Sequence, residues 1–248
     1  MLLDYLEKIH EPTSIEGAWD VVVKYMSSFG FDRMLYGFTR FGTATSFGET
    51  DDILILTNHS KAYLGPYIDQ GMYFDAPMHK WAAKNTGACS WSQFTQPDVQ
   101  LTPAEQKLMD FNASHRVTAG VTISFRNISN KVKGAIGLVA KAGMSQRDVD
   151  FLMGLRGREI VQMCNVAHLK LTSLSYSPAG SRLTDRQRET LHWVSEGKTT
   201  RDIATIMGLT TATVEKHLRL ARAALNVDTT AQAVIKASHQ NQIFSLDP

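Results

Sequence analysis

Residues 183–227 read LTDRQRETLHWVSEGKTTRDIATIMGLTTATVEKHLRLARAALNV. Threonines and glycines punctuate this stretch, and the runs between them carry apolar residues at helical spacing. Thr184 is placed to cap a helix over Asp185–Ser195, with Leu191 and Val194 on its inner face. Gly197 ends that helix in the left-handed conformation that favours glycine. Thr199 or Thr200 opens a second helix through Ile203 and Ile206 to Met207, and Gly208 makes a tight turn. Thr210 caps a third helix over Thr211–Leu225, whose Val214, Leu218, Ala221 and Leu225 form an inward stripe. A fourth covers about Thr230–Ser238, and no strand pattern interrupts the series. An all-α unit of four helices is expected, with two short helices joined at a glycine and the second of them basic. That is the helix-turn-helix arrangement.

The third helix sets Lys216, Arg219 and Arg222 against Glu215. Lys216 and Arg219 lie one turn apart on its outward side, with Thr213 near its start. Such a helix enters the major groove with its N-terminus leading. Its cations neutralise phosphates or reach guanine edges. On pattern alone, a solvated basic helix in a small bundle remains the competing reading.

The rest of the chain frames this unit. The 248 residues are 43% hydrophobic and 20% charged, with a formal net charge of +2. This is a soluble globular balance, too weakly basic to argue for nucleic acid except locally. No apolar run of membrane-spanning length occurs, so no membrane association is expected. The N-terminal MLLDYLEKIHEP is too acidic for a signal peptide. Cys89 and Cys164 make neither a disulfide framework nor a C-x-x-C pair, and a cytoplasmic location fits. Lys170–Arg182, KLTSLSYSPAGSR, is rich in Ser with Pro178 and Gly180 and reads as a linker. The expected division is residues 1–169, a linker over 170–182, and 183–248.

Residues 1–169 mix periods. Ser14–Phe29 has helical spacing and ends at Gly30. Arg33–Arg40, Asp52–Leu56, Thr118–Phe125 and Gly134–Ala140 read as strands, with Asn127–Asn130 as a hairpin turn. Thr102–Ala113 is a helix with Thr102 as N-cap, Pro103 at its first position and Glu105 closing a capping box. Ser145–Leu169 is a long helix. The fold class is therefore α+β: an N-terminal α-β-α sandwich around an antiparallel sheet, of a kind that often encloses a small molecule, and a C-terminal four-helix helix-turn-helix domain.

The C-terminal stretch closely resembles the DNA-binding domain of LuxR-type regulators. The resemblance is carried by Leu183-Thr184, Arg186, Glu189, Leu191, Gly197-Lys198-Thr199, Ile203-Ala204, Thr213-Val214, His217, Ala221, Leu225 and Gln232-Ala233. It departs at Gln187, commonly Glu, and at Ala224, commonly basic. Pattern and resemblance together give a DNA-contact set of Lys198, Thr210, Thr211, Thr213, Lys216, His217, Arg219 and Arg222.

The N-terminal half resembles the autoinducer-binding domain of the quorum-sensing branch, with landmarks at Asn58, Tyr63, Tyr67, Pro77, Trp91 and Gly120. The resemblance implies a pocket for an N-acyl-homoserine lactone and no cofactor. Tyr63 and Tyr67 match an aromatic pair, and Trp91 matches the residue that donates to the lactone carbonyl. An aspartate before the proline would accept the signal's amide N–H. Aligned on Pro77 and Trp91, that position holds Ala76, and Asp75 lies one residue early. Asp75 is nevertheless expected to turn inward. His59 stands where Tyr is common, and Gly137 where some members carry Ser or Thr; Leu35 completes the ligand-contact set. Pro66 must start or bend the helix bearing the tyrosines.

These features imply a homodimeric transcription factor on double-stranded promoter DNA, with RNA polymerase as a candidate partner. An orphan regulator of the same build, taking a non-lactone ligand or none, is the alternative. Cys89 and His79 lack a third orienting group, so no catalytic residue is assigned and the chain is not read as an enzyme; an enzyme with an appended DNA-binding domain is the remaining alternative, from another class. No metal-ligand spacing appears.

Overall fold

A computed structural model describes residues 1–48, 50–96, 98–126, 129, 131–176 and 182–243. The chain forms two compact units, Met1–Thr172 and Ser173–Pro248.

The first unit opens with α1 (Leu2–His10) and α2 (Ile15–Ser28); the Ser14 side chain caps α2, and Gly30 follows with a positive φ of 98°. Strand β1 (Phe31–Thr39) leads through a 3-10 turn at Thr50–Asp52 to β2 (Leu54–Thr57). The run DILIL therefore becomes a strand only from Leu54, because its acidic start closes the preceding turn. Helix α3 (Lys61–Leu64) runs into a π-turn at Gly65–Asp69. Pro66 has no N–H to give and breaks regular α-helix there, and the wider turn is closed by Gln70 N donating to Gly65 O at 3.1 Å. A 3-10 turn at Met72–Asp75 precedes α4 (Pro77–Lys84), β3 (Gly87–Ser90) and α5 (Ser92–Thr95). Then come α6 (Pro103–Ser114), with the expected capping box on Thr102 and Glu105, β4 (Gly120–Ser124), β5 (Lys133–Ala140) and α7 (Gln146–Ser173).

The strands form one sheet in the order β2-β1-β5-β4-β3, antiparallel at every pairing. Alternation gives it two unlike faces. One carries Met34, Tyr36, Phe38, Val121, Ile123, Ile136 and Leu138, all nearly or fully buried. Tyr36 meets Trp19 of α2 there and shares a 2.9 Å hydrogen bond with Nδ1 of His168 on α7. The other face carries Leu35, Gly37, Thr122, Ala135, Gly137 and Val139, with Gly37 opposite Ala135, and both Leu35 and Thr122 opposite Gly137.

The second unit holds α8 (Asp185–Ser195), α9 (Thr200–Met207), α10 (Thr211–Ala224) and α11 (Thr230–His239). Thr184, Thr199, Thr210 and Thr229 each accept a backbone N–H at a helix start. Gly197 and Gly208 have positive φ, 77° and 64°. Leu183, Leu191, Ile203, Val214, Leu218, Ala221, Leu225, Ala233 and Ala237 make the core. Gln187 keeps the capping role at Thr184 that a glutamate would have.

The linker expected over 170–182 is shorter than its composition suggests. Helix α7 continues through Ser173, and Tyr176 is buried, its N–H donating to Gln240 O at 3.1 Å within the second unit. The centre of that linker, residues 177–181, and most of the turn expected at Asn127–Asn130 lie outside the described residues.

Candidate functional site

The hollow face of the sheet lines a partly open cavity of about 100 Å³. Gly37, Ala135 and Gly137 put almost no side chain on that face, and the missing volume is the cavity. A Cβ built on Gly137 would have Leu35 O as its nearest neighbour, at 3.9 Å, so the position has room to spare. Leu35, Ile53, Ile55, Met78, Ala82, Val117 and Val139 supply an apolar lining.

The polar corner is built by α3, its π-turn, α6 and the turn after β3. The rings of Tyr63 and Tyr67 stack with centroids 4.9 Å apart, and His59 stacks on Tyr63 at 4.5 Å. The Tyr63 hydroxyl donates to Asn112 Oδ1 at 3.0 Å. Burial raises the pKa of both tyrosines, Tyr67 to about 12. The Trp91 indole packs against β4 at Gly120, where a Cβ would come within 2.4 Å of Leu138 O and 2.9 Å of the indole. Glycine is therefore required at 120. The Trp91 N–H donates to Thr122 Oγ1 at 2.9 Å.

Among the described residues, no lining side chain is a carboxylate, lysine or arginine. His59 and His79 line the cavity as neutral imidazoles. Burial, reinforced by Arg33 near His59 and Lys80 near His79, pushes each pKa down to about 4.

Six of the seven residues expected at the ligand site meet in this one cavity: Leu35, His59, Tyr63, Tyr67, Trp91 and Gly137. Asp75 does not, which corrects the inward orientation expected for it. The 3-10 turn ends at Asp75, whose side chain is 48% exposed with Lys80 Nζ at 3.9 Å; Lys80 also meets Glu105 at 3.0 Å. Ala76 occupies the inward position and is fully buried. A carboxylate left in that apolar cluster would cost more than one paired at the surface. The cavity also takes in Asn112, Thr122, Tyr73 and His79, which the expected ligand set left out; of these, Asn112 and Thr122 were not singled out in the sequence at all. Asn112 carried a readable signal, since it sits four residues after the buried Leu108 on one face of α6.

In the second unit Thr210 caps α10, and its Oγ1 lies 2.9 Å from Thr213 Oγ1. Lys198, Thr211, Lys216 and Arg219 are exposed, and His217 is half-buried. Arg222 is also half-buried and donates to Thr230 Oγ1 of α11 at 2.9 Å, so part of its capacity goes to holding the unit together. Cys89 is buried, which raises its thiol to about 11 and suits packing rather than nucleophilic chemistry. Among the described residues no helix is long and apolar enough to cross a membrane, and no cluster of His, Cys, Asp or Glu is positioned to hold a metal.

A lined cavity in one unit and a helix-turn-helix with a basic third helix in the other are the two features that any assignment of this chain must contain. Residues 14–171 match the autoinducer binding domain family, and residues 181–237 match the bacterial regulatory proteins of the luxR family. The chain belongs to the LuxR-type transcriptional regulators that carry an autoinducer-binding domain. It is 25% identical to the transcriptional activator protein AnoR of Acinetobacter nosocomialis, over 88% of this chain and 89% of AnoR. Escherichia coli SdiA has the same fold, with a TM-score of 0.53 and 18% identity over 98% of this chain and 97% of that one. So does CepR2 of Burkholderia cenocepacia, described as an N-acylhomoserine lactone dependent LuxR family transcription factor. Its TM-score is 0.55, with 19% identity over 69% of this chain and 94% of CepR2.

Proposed function

We propose that this regulator senses an N-acyl-homoserine lactone and, as a homodimer, binds palindromic promoter DNA in the cytoplasm, with RNA polymerase as its partner there. The carrying observation is the cavity, whose described lining is uncharged, with Tyr63, Tyr67 and Trp91 at one corner and apolar side chains beyond. A lactone head and an acyl chain are neutral and divide in the same way. Trp91 exchanges its bond to Thr122 Oγ1 for the lactone carbonyl. With Asp75 outside, the signal's amide N–H falls to a neutral acceptor: Asn112 Oδ1, Thr122 Oγ1 or the His59 ring. That bond is weaker than one to a carboxylate. CepR2's dependence on such lactones supports the reading.

Ligand stabilises the first unit by mass action, and a dimer sets two α10 helices about 34 Å apart, one DNA turn. No catalytic step is assigned. Ala76 in place of a carboxylate favours a second reading, a neutral ligand without an amide. Thermal melts of the full chain with lactones of graded chain length test the proposal. A concentration-dependent rise in Tm with at least one lactone is expected, and no shift with any overturns the lactone reading.

A further inference from the structure

The cavity has two ends. Val139 of β5 packs in the Tyr63–Trp91 cluster, whereas Ala135 packs against the Phe47–Ile53–Ala82 cluster. Four residues of strand separate them, about 13 Å. The lactone head belongs at the first end.

The second end is apolar around one imidazole. His79 lies 4.8 Å from Phe47 and edge-on to Tyr73 at 5.0 Å, by ring centroids. The Tyr73 hydroxyl is already engaged with Thr50 Oγ1 at 2.7 Å. Neither His79 ring nitrogen has a hydrogen-bond partner among the described residues. His168 shows the contrast: it is a buried histidine whose Nδ1 meets the Tyr36 hydroxyl at 2.9 Å. Desolvation holds His79 neutral, so it presents one donor and one acceptor to the cavity. His79 is half-buried, and a ligand group that replaces water at its ring nitrogens gains one net hydrogen bond.

We propose that His79 is a second polar contact at the tail end of the cavity, and that the natural signal carries a hydroxyl group near the far end of its chain. A hydroxyl fits because it can accept from one ring nitrogen or donate to the other. The inference rests on the reading that the cavity takes a chain-bearing signal, and it names the tail where that reading names the head.

The test uses the full chain and probes that separate tail from head. Binding of N-methyloctanamide is compared with its ω-hydroxy counterpart, and octanoyl-homoserine lactone with its ω-hydroxy counterpart. The hydroxylated probe of each pair should bind about fivefold tighter, the size of one net hydrogen bond. His79→Leu should erase the preference, and His79→Gln, which keeps a donor and an acceptor, should restore part of it. Equal binding within the pairs, or a preference that survives His79→Leu, overturns the proposal. If the hydroxyl preference holds for the amide pair while neither lactone binds, the lactone reading fails and the His79 subsite stands. If no probe binds at all, both fail.

Discussion

The indole N–H of Trp91 donates to Thr122 Oγ1 across 2.9 Å inside the cavity. This bond sets an exchange: a ligand carbonyl that reaches Trp91 competes with a protein hydroxyl already there. Thr122→Val removes the hydroxyl and leaves the indole unpaired. The ligand-free protein should lose about 1–3 kcal/mol of stability. The stabilisation gained on saturating lactone should grow, because the ligand then satisfies an otherwise orphaned donor. Trp91→Phe should act oppositely, reducing the ligand-induced rise in Tm. Paired melts of the two variants check this; equal ligand shifts would remove Trp91 from the contact list.

Gly137 and Gly120 sit on the same face of the sheet and should respond to the same change in opposite senses. A methyl at Gly137 meets nothing closer than 3.9 Å, so Gly137→Ala should stabilise the ligand-free fold by about 0.5–1 kcal/mol while narrowing the cavity and weakening ligand binding. At Gly120 the methyl would lie 2.4 Å from Leu138 O, and Gly120→Ala should cost about 2 kcal/mol or more. Urea denaturation of both variants, with and without lactone, reads the two effects separately.

Three histidines, His59, His79 and His168, have pKa values lowered by burial to about 4, against about 6.5 in the unfolded chain. Between those values the unfolded state binds more protons than the folded one. Their contribution is therefore complete above pH 6.5 and is lost as pH falls toward 4. Each should add up to about 1.4 kcal/mol per pH unit to the slope of stability in that window. Chemical denaturation at pH 7 and pH 5 measures the first unit's loss. Tyr36 gives His168 a partner that Gln can replace, so His168→Gln should flatten the slope by about a third.

Lys216 is exposed on α10, whereas Arg222 is tied to Thr230. Lys216→Ala should weaken DNA binding without moving Tm, and the salt slope should fall by about 1 if Lys216 meets a phosphate. Arg222→Ala should instead lower the stability of the second unit by about 1 kcal/mol through the lost contact to α11. Salt-titrated binding isotherms and melts of the two variants distinguish these outcomes.

The second unit was legible almost residue by residue. Thr184, Thr199 and Thr210 cap where expected, and Gly197 and Gly208 turn where expected. Caps, left-handed glycines and an apolar stripe at spacings of three and four are decided within one or two turns of chain, so local sequence suffices for them. In the first unit the same local logic placed α2, α6 and the start of α7, where Asp148 N donates to Ser145 Oγ at 3.3 Å. It missed β3, whose GACS has none of the β-branched or aromatic residues that mark a strand and is held by its register with β4.

Sequence by itself determined a helix-turn-helix unit and a mixed α+β unit before it, and it singled out Tyr63, Tyr67 and Trp91, which line one cavity. Tertiary structure decided the rest. The cavity exists because Gly37, Ala135 and Gly137, distant in sequence, fall on one face of adjacent strands, a matter of register that no local pattern encodes. The same holds for Asp75. Which of two neighbouring residues turns inward was settled by where a 3-10 turn ended and by Lys80 lying beside it outside, while the buried, uncharged Ala76 took the position facing the core.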